Sequence, residues 1–187
     1  MTLMERFFLD RNSAQLVVVD VQEKLCRAMD HKVLEQITGN ISILLDAAAE
    51  LGLPALATEQ YVKGLGETLP VLKAKLAAPS LEKMSFSCCG GDGFMEALAA
   101  SGRRQVILTG METHVCVLQT VLELISAGYV VHLVCDGVMS RRKANWKTAL
   151  KTMAAAGAVL TSTEAVLFQL LRVAGTEEFK KLSKLVR

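Results

Sequence analysis

The sequence predicts an α/β domain, a three-layer α/β/α sandwich around a six-stranded, mostly parallel sheet. Six short β-branched runs alternate with longer stretches of helical period, the pattern of a parallel sheet with helical connections. Three of those runs, Leu16–Val19, Val106–Leu108 and Val130–Val134, are almost continuously apolar, as strands are when helices cover both faces. The chain has 187 residues, 51% of them hydrophobic, and no Pro/Gly-rich linker or internal repeat divides it, so one domain spanning 1–187 is expected.

Composition narrows the function classes. With 21 basic and 19 acidic side chains the formal charge is +2, which supplies no electrostatic footprint for nucleic acid or an acidic membrane. Charged residues at 21% with a positive mean hydropathy exclude a disordered chain. Five cysteines form an odd set without a CxxC pair, so neither a zinc ribbon nor a disulfide framework is indicated, and reduced thiols in a cytoplasm are expected.

The elements follow in order. Met1–Asp10 carries Glu5, Arg6 and Asp10 and therefore lacks the apolar centre of a secretory signal. Every apolar run is far shorter than the ~20 residues of a membrane span. Gln15–Asp20 reads as the first strand. Ile37, Ile41, Leu44, Leu45, Ala48 and Leu51 then trace one helix face, with Gly52 as its stop and Pro54 just beyond. Pro54–Thr58 and Leu81–Met84 are the second and third strands, the third polar for a buried position. Cys88–Gly93 reads as a flexible turn, with Asp92 placed to cap a helix over Phe94–Ala100; a redox or lid role is the sharper alternative.

Gln105–Thr109 is the fourth strand. Val117, Val121, Leu124 and Ile125 mark the helix after it, which ends at Gly128. Tyr129–Cys135 is the fifth strand, and Arg141–Lys143 forms a solvated entrance to a helix over Lys143–Ala156. Ala158–Thr161 is the sixth strand, followed by a helix over Thr163–Val173. The tail at 176–187 sets Phe179, Leu182, Leu185 and Val186 against Lys180, Lys181 and Lys184, the pattern of a helix docked on the domain.

In a doubly wound parallel sheet ligands collect beyond the carboxyl ends of the strands, where strand order reverses. Asp20 ends the first strand, Lys83 the third, and the turn Gly110–Cys116 after the fourth delivers a thiol to the start of a helix. Taken singly each has a plainer reading: a turn-forming Asp, a solvated Lys, a buried structural Cys. Together they make a chemically matched trio. A helix N-terminus and a nearby ammonium lower a thiol's pKa, while a carboxylate holds or accepts its proton.

These residues carry a family resemblance. Val18-Val19-Asp20-Val21-Gln22, Thr58-Glu59-Gln60-Tyr61 with Lys63-Gly64-Leu65-Gly66, Glu82-Lys83-Met84-Ser85-Phe86-Ser87 and Gly110-Met111-Glu112-Thr113-His114-Val115-Cys116-Val117 stand in order. With them, nearly the whole chain resembles the isochorismatase-like cysteine hydrolase superfamily. The motifs are most similar to those of isochorismatase domain-containing proteins of unassigned substrate. The resemblance implies a strand order of 3-2-1-4-5-6 and a triad of Asp20, Lys83 and Cys116. It also implies a cis bond between Met111 and Glu112 that would turn backbone N–H groups, that of Cys116 included, toward an oxyanion.

Gln22, Gln60, Tyr61, Phe86 and His114 are candidates for the substrate pocket, with loop structure the other reading for the glutamines and helix-start hydrogen bonding for His114. Nicotinamidases of the superfamily hold a metal through an Asp and histidines after the second strand. Here Glu59-Gln60-Tyr61 stands there, and the chain's three histidines are His31, His114 and His132, so no metal and no cofactor is expected. The expected activity is metal-independent hydrolysis of a small amide or related acyl compound through a Cys116 thioester, with a homo-oligomer as the working form. A noncatalytic member acting through assembly or protein partners is the alternative. Vinyl-ether hydrolysis is a third reading, which the cysteine disfavours.

Overall fold

Six strands lie in the order 3-2-1-4-5-6, and every strand pairing among the described residues is parallel. They are β1 (Ala14–Val19), β2 (Ala55–Gln60), β3 (Leu81–Lys83), β4 (Gln105–Met111), β5 (Val130–Met139) and β6 (Val159–Thr161). This computed structural model describes residues 2–186. Met1 and Arg187, the outermost positions of the expected domain and its tail, lie outside the described residues.

The helices are α1 (Leu3–Phe7), α2 (Glu23–Cys26), α3 (His31–Leu51), α4 (Val62–Leu65), α5 (Pro70–Lys73), α6 (Phe94–Ala100), α7 (Leu118–Ser126), α8 (Lys143–Ala155), α9 (Thr163–Leu171) and α10 (Glu177–Leu182). Their alternation with the strands fills both faces. Leu16 and Val18 of β1 join Ile37, Ile41 and Leu45 of α3 and Val166 of α9 on one side. Val17 and Val19 join Phe94 and Leu98 of α6, Val121 of α7 and Met153 of α8 on the other. All six residues of β1 and all seven of β4 are buried, which explains their unbroken apolar runs. Each such side chain contributes about 1.5–3 kcal/mol on burial.

Caps fix the ends. Asp30 accepts from the Val33 N–H at the start of α3, and Gly52 closes it at φ +67°, a backbone that costs a side-chain-bearing residue strain. Asp92 does not cap α6: Gly93 occupies that position and no side chain caps the helix. Thr176 caps α10, whose Leu182 packs against Ala47 and Leu167. Among the described residues, no helix is long and apolar enough to cross a membrane.

Three strands run past the ends read from sequence. β2 continues through Glu59 and Gln60, where parallel pairing with Glu82 and Lys83 outweighs their polarity. β4 continues to Met111. β5 continues through Asp136-Gly137 to Met139 by way of a bulge, its register against β4 shifting between Leu108 and Gly110.

Candidate active site

β1 and β4 are neighbours, yet their outgoing connections lead to opposite sides of the sheet, and the crevice this opens is the natural ligand site. Gly110 allows the two strand ends to close up: a Cβ there would lie 2.0 Å from the Val19 carbonyl oxygen, and its φ is +113°. Directly after Val19, Asp20 turns the chain with φ +49°, a left-handed conformation that Asp tolerates better than most residues. The turn delivers its carboxylate into the crevice.

That carboxylate is held at both oxygens. Thr58 of β2 donates its hydroxyl to Oδ1 at 2.7 Å, and Lys83 of β3 donates Nζ to Oδ2 at 2.7 Å. The Lys83 ammonium also donates to Gln60 Oε1 at 2.8 Å and to the carbonyls of Phe86 at 3.0 Å and Ser85 at 3.2 Å. Asp20, Lys83 and Cys116 are 0%, 3% and 6% exposed. An ion pair that deep survives because its remaining hydrogen-bonding valences are also filled.

Cys116 arrives on a π-helical turn, Thr113–Val117, that joins β4 to α7. A cis peptide bond links Met111 to Glu112 at its start. The Glu112 carboxylate accepts from the Arg141 backbone N–H at 2.8 Å and from its Nε at 3.0 Å, tying the turn to the end of β5. The Glu112 carbonyl accepts from the N–H groups of Val115 and Val117, so those two donors are spent. Thr120 donates to the Cys116 carbonyl at 2.7 Å and accepts from the Cys88 N–H at 2.9 Å, which fastens the Cys116 turn to the loop beside Lys83.

The electrostatics reverse the sequence expectation of a thiol kept ionised by Lys83. Burial pushes the Cys116 thiol up to about 12; the Asp20 charge adds to this, and the Lys83 charge offsets only part of it. The ammonium is committed to Asp20, so its field reaches the sulfur largely cancelled. The resting thiol is therefore protonated and faces a carboxylate able to take its proton.

The remaining candidates hold the following positions. Gln22 donates to the carbonyls of Gln60 and Gly66 and accepts from the Gln60 N–H, so its amide staples two loops together and is not free to line a pocket. Gln60 is likewise spent, accepting from Lys83 and donating to the Met84 carbonyl at 2.8 Å. Tyr61 and Phe86 are exposed at the edge of the crevice, and His114 lies with Nδ1 3.0 Å from Ser140 Oγ. Cys88–Gly90 is a short 3₁₀ turn packed onto Lys83, and Cys88 is fully buried. Gly91 is needed there, since its Cβ would come within 2.9 Å of Lys83 Cβ. Arg141, read as a solvated helix entrance, is the clamp on Glu112.

The sequence reading gave no site role to Thr58 or Thr120, and it placed Cys88 in a flexible turn with a redox or lid role as the alternative. Thr58 carried the only available signal, a hydroxyl at the buried end of a strand. Cys88 Sγ lies 3.5 Å from the Thr58 hydroxyl, and burial raises its thiol to about 11. A recess of about 620 Å³, lined by Val33, Ile37, Val138, Met139 and Trp146 among others, lies between α3 and the end of β5 and is not lined by the trio. Among the described residues, no group of three or more His, Cys, Asp or Glu side chains is arranged to hold a metal.

Comparison with known proteins gives the family of the chain. The family model for the isochorismatase domain matches residues 14–165. The secreted isochorismatase effector Isc1 of Phytophthora sojae is 38% identical over 183 residues, covering 94% of this chain and 85% of the effector. The structure of the MAR1 ribonuclease from Caenorhabditis elegans superposes with a TM-score of 0.88 at 38% identity, covering 96% of this chain and 92% of that one. YcaC from Escherichia coli, described as an octameric hydrolase of unknown specificity, superposes with a TM-score of 0.87 at 27% identity, covering 95% and 90%.

Proposed function

The chain belongs to the isochorismatase family of hydrolases, and on that footing we propose that it is a cysteine hydrolase acting on a small amide or related acyl compound, with Asp20, Lys83 and Cys116 as its triad. The observation that carries this reading is the buried Lys83–Asp20 pair at 2.7 Å, set against a protonated thiol in the switch-point crevice. A structural cysteine needs no such pair.

The substrate carbonyl enters beside Cys116. Asp20 takes the thiol proton as sulfur attacks, and general-base assistance of this kind is worth roughly 10²–10⁴-fold. Each carboxylate oxygen has two lone pairs, so Thr58 and Lys83 leave room for that proton. The carbonyl becomes an oxyanion, which the Cys116 N–H on the π-turn stabilises. Collapse expels the amine, which carries away the proton held by Asp20 and leaves a Cys116 thioester. Water then attacks the thioester with Asp20 again as base; the carboxylic acid leaves and the thiol is restored. Lys83 holds the Asp20 carboxylate in position through both proton transfers, and none of these steps calls on a metal or a cofactor.

A ribonuclease function, which the nematode relative's name attaches to that protein, fits less well, because the chain's +2 charge and a lysine with no spare donor offer little to a phosphodiester. We also propose a homo-oligomer, supported by the octameric description of the bacterial relative. A reducing cytoplasm suits the five free cysteines.

Cys116→Ala and Cys116→Ser, with folding verified by circular dichroism, are expected to lose turnover in a screen of small amides, ureides and carbamoyl compounds. Full activity in Cys116→Ala would remove the nucleophile. RNA cleavage that survives the same substitution would favour the other chemistry.

A further inference from the structure

We infer that the Cys116 site selects small acyl compounds that carry no charge near the reacting carbon and whose remaining part is apolar. This deepens the hydrolase reading and rests on it. The reason is that the polar side chains that ring Lys83 and Asp20 are already committed to one another.

Lys83 has three N–H hydrogens and four oxygen acceptors within reach: Asp20, Gln60, Ser85 and Phe86. A substrate carboxylate could bind that ammonium only by displacing one of them from a buried charge. It would also approach the Asp20 carboxylate and the carbonyls that already face Lys83, all of the same sign as itself. A cationic substrate meets the opposite difficulty, since the Asp20 charge is already balanced by Lys83 and the cation would approach that ammonium.

The neighbouring amides and acid give no more help. Gln22 and Gln60 use both ends of their side chains internally, and Glu112 is closed onto Arg141. A charged group brought against Lys83 or Asp20 would therefore be desolvated with nothing there to replace its water. Apolar surface, by contrast, is available. The segments that wrap Lys83 expose Tyr61, Met84 and Phe86, while Val115 and Leu118 beside the sulfur are only partly buried. A neutral carbonyl for the thiol, attached to a small hydrocarbon or aromatic group, satisfies this wall without breaking any existing bond.

Paired alkylating reagents test the selectivity without needing the natural substrate. Iodoacetamide and iodoacetate share the attacked carbon and the leaving group and differ in charge. Their rate constants for Cys116, read by peptide mass spectrometry on the intact folded chain, are each divided by the value for glutathione at the same pH. We expect Cys116 to prefer iodoacetamide over iodoacetate at least tenfold more strongly than glutathione does, and to react faster still with N-benzyl iodoacetamide. A ratio equal to that of glutathione, or one favouring iodoacetate, overturns the charge selectivity, and a slower benzyl reagent overturns the apolar part. In either case a reactive Cys116 leaves the nucleophile assignment standing. The expected selectivity without hydrolysis of any neutral amide sinks the hydrolase reading alone; failure of all three reagents to reach Cys116 sinks both.

Discussion

Lys83 is placed to hold Asp20 rather than to ionise Cys116, and this sets what substitutions at the site should do. Lys83→Met leaves the Asp20 carboxylate buried with its main counter-charge gone. The expected cost is about 3–5 kcal/mol, a fall in Tm on the order of 10 °C in a thermal melt. Asp20→Asn combined with Lys83→Met removes both charges and should recover much of that stability while leaving turnover abolished. If the double variant melts no higher than Lys83→Met, the pair is not the unit described here. Thr58→Val is expected to lower activity while keeping the fold, because it removes one of the two donors that orient Asp20, and Thr58→Ser should restore most of it. Asp20, Lys83 and Cys116 were legible in the sequence because each ends a strand or opens a helix, where topology brings residues together. The Thr58 donor to Asp20 was not, since a Thr in a β-branched strand looks like packing until its neighbour is known.

At the scale of elements, the strand ends and turns that carry these residues depend on particular glycines. Gly110 lets β4 pass within bonding distance of β1, and Gly64 leaves room for the Tyr61 ring, whose carbons lie 2.3 Å from where a Cβ would stand. Gly110→Ala is expected to prevent folding, read as loss of the soluble cooperative unfolding transition. Gly64→Ala should fold but displace Tyr61 and the Val62–Leu65 turn, read as weakened substrate binding with Cys116 alkylation little changed. Periodicity located all six strands and the long helices correctly, because continuous burial writes itself as continuous apolar sequence. It stopped short where pairing overrode polarity, at Glu59-Gln60 in β2 and at Asp136-Gly137 in the bulged end of β5. The turn at Cys88–Gly90 looked flexible because its cysteines and glycines carry no period; packing against Lys83 is what orders it.

For the molecule as a whole, buried titratable groups bound the pH range of stability. His132 in β5 is fully buried with neither ring nitrogen partnered among the described residues, and burial lowers its pKa from 6.5 to about 4. The unfolded chain therefore binds more protons than the folded one between those values. Stability should be full above about pH 6.5 and fall by about 3 kcal/mol as pH drops toward 4. Urea unfolding at pH 4.5 and 7 should show this slope, and His132→Leu should flatten it. On the alkaline side, burial raises the thiols of Cys26 and Cys88 to about 11 and that of Cys116 to about 12. Their contribution is present below about pH 9 and is lost as pH climbs through those raised values.

In the proposed reaction Cys116 carries the acyl group, with Asp20 as its base. The most direct measurement is acid-quenched mass spectrometry of the enzyme mixed with a turned-over amide, followed by peptide mapping. The expected result is a transient acyl adduct on the Cys116 peptide in the wild-type chain, absent in Cys116→Ala and strongly reduced in Asp20→Asn. Steady hydrolysis with no adduct on that peptide, or an adduct that forms equally well without the Asp20 carboxylate, would contradict it.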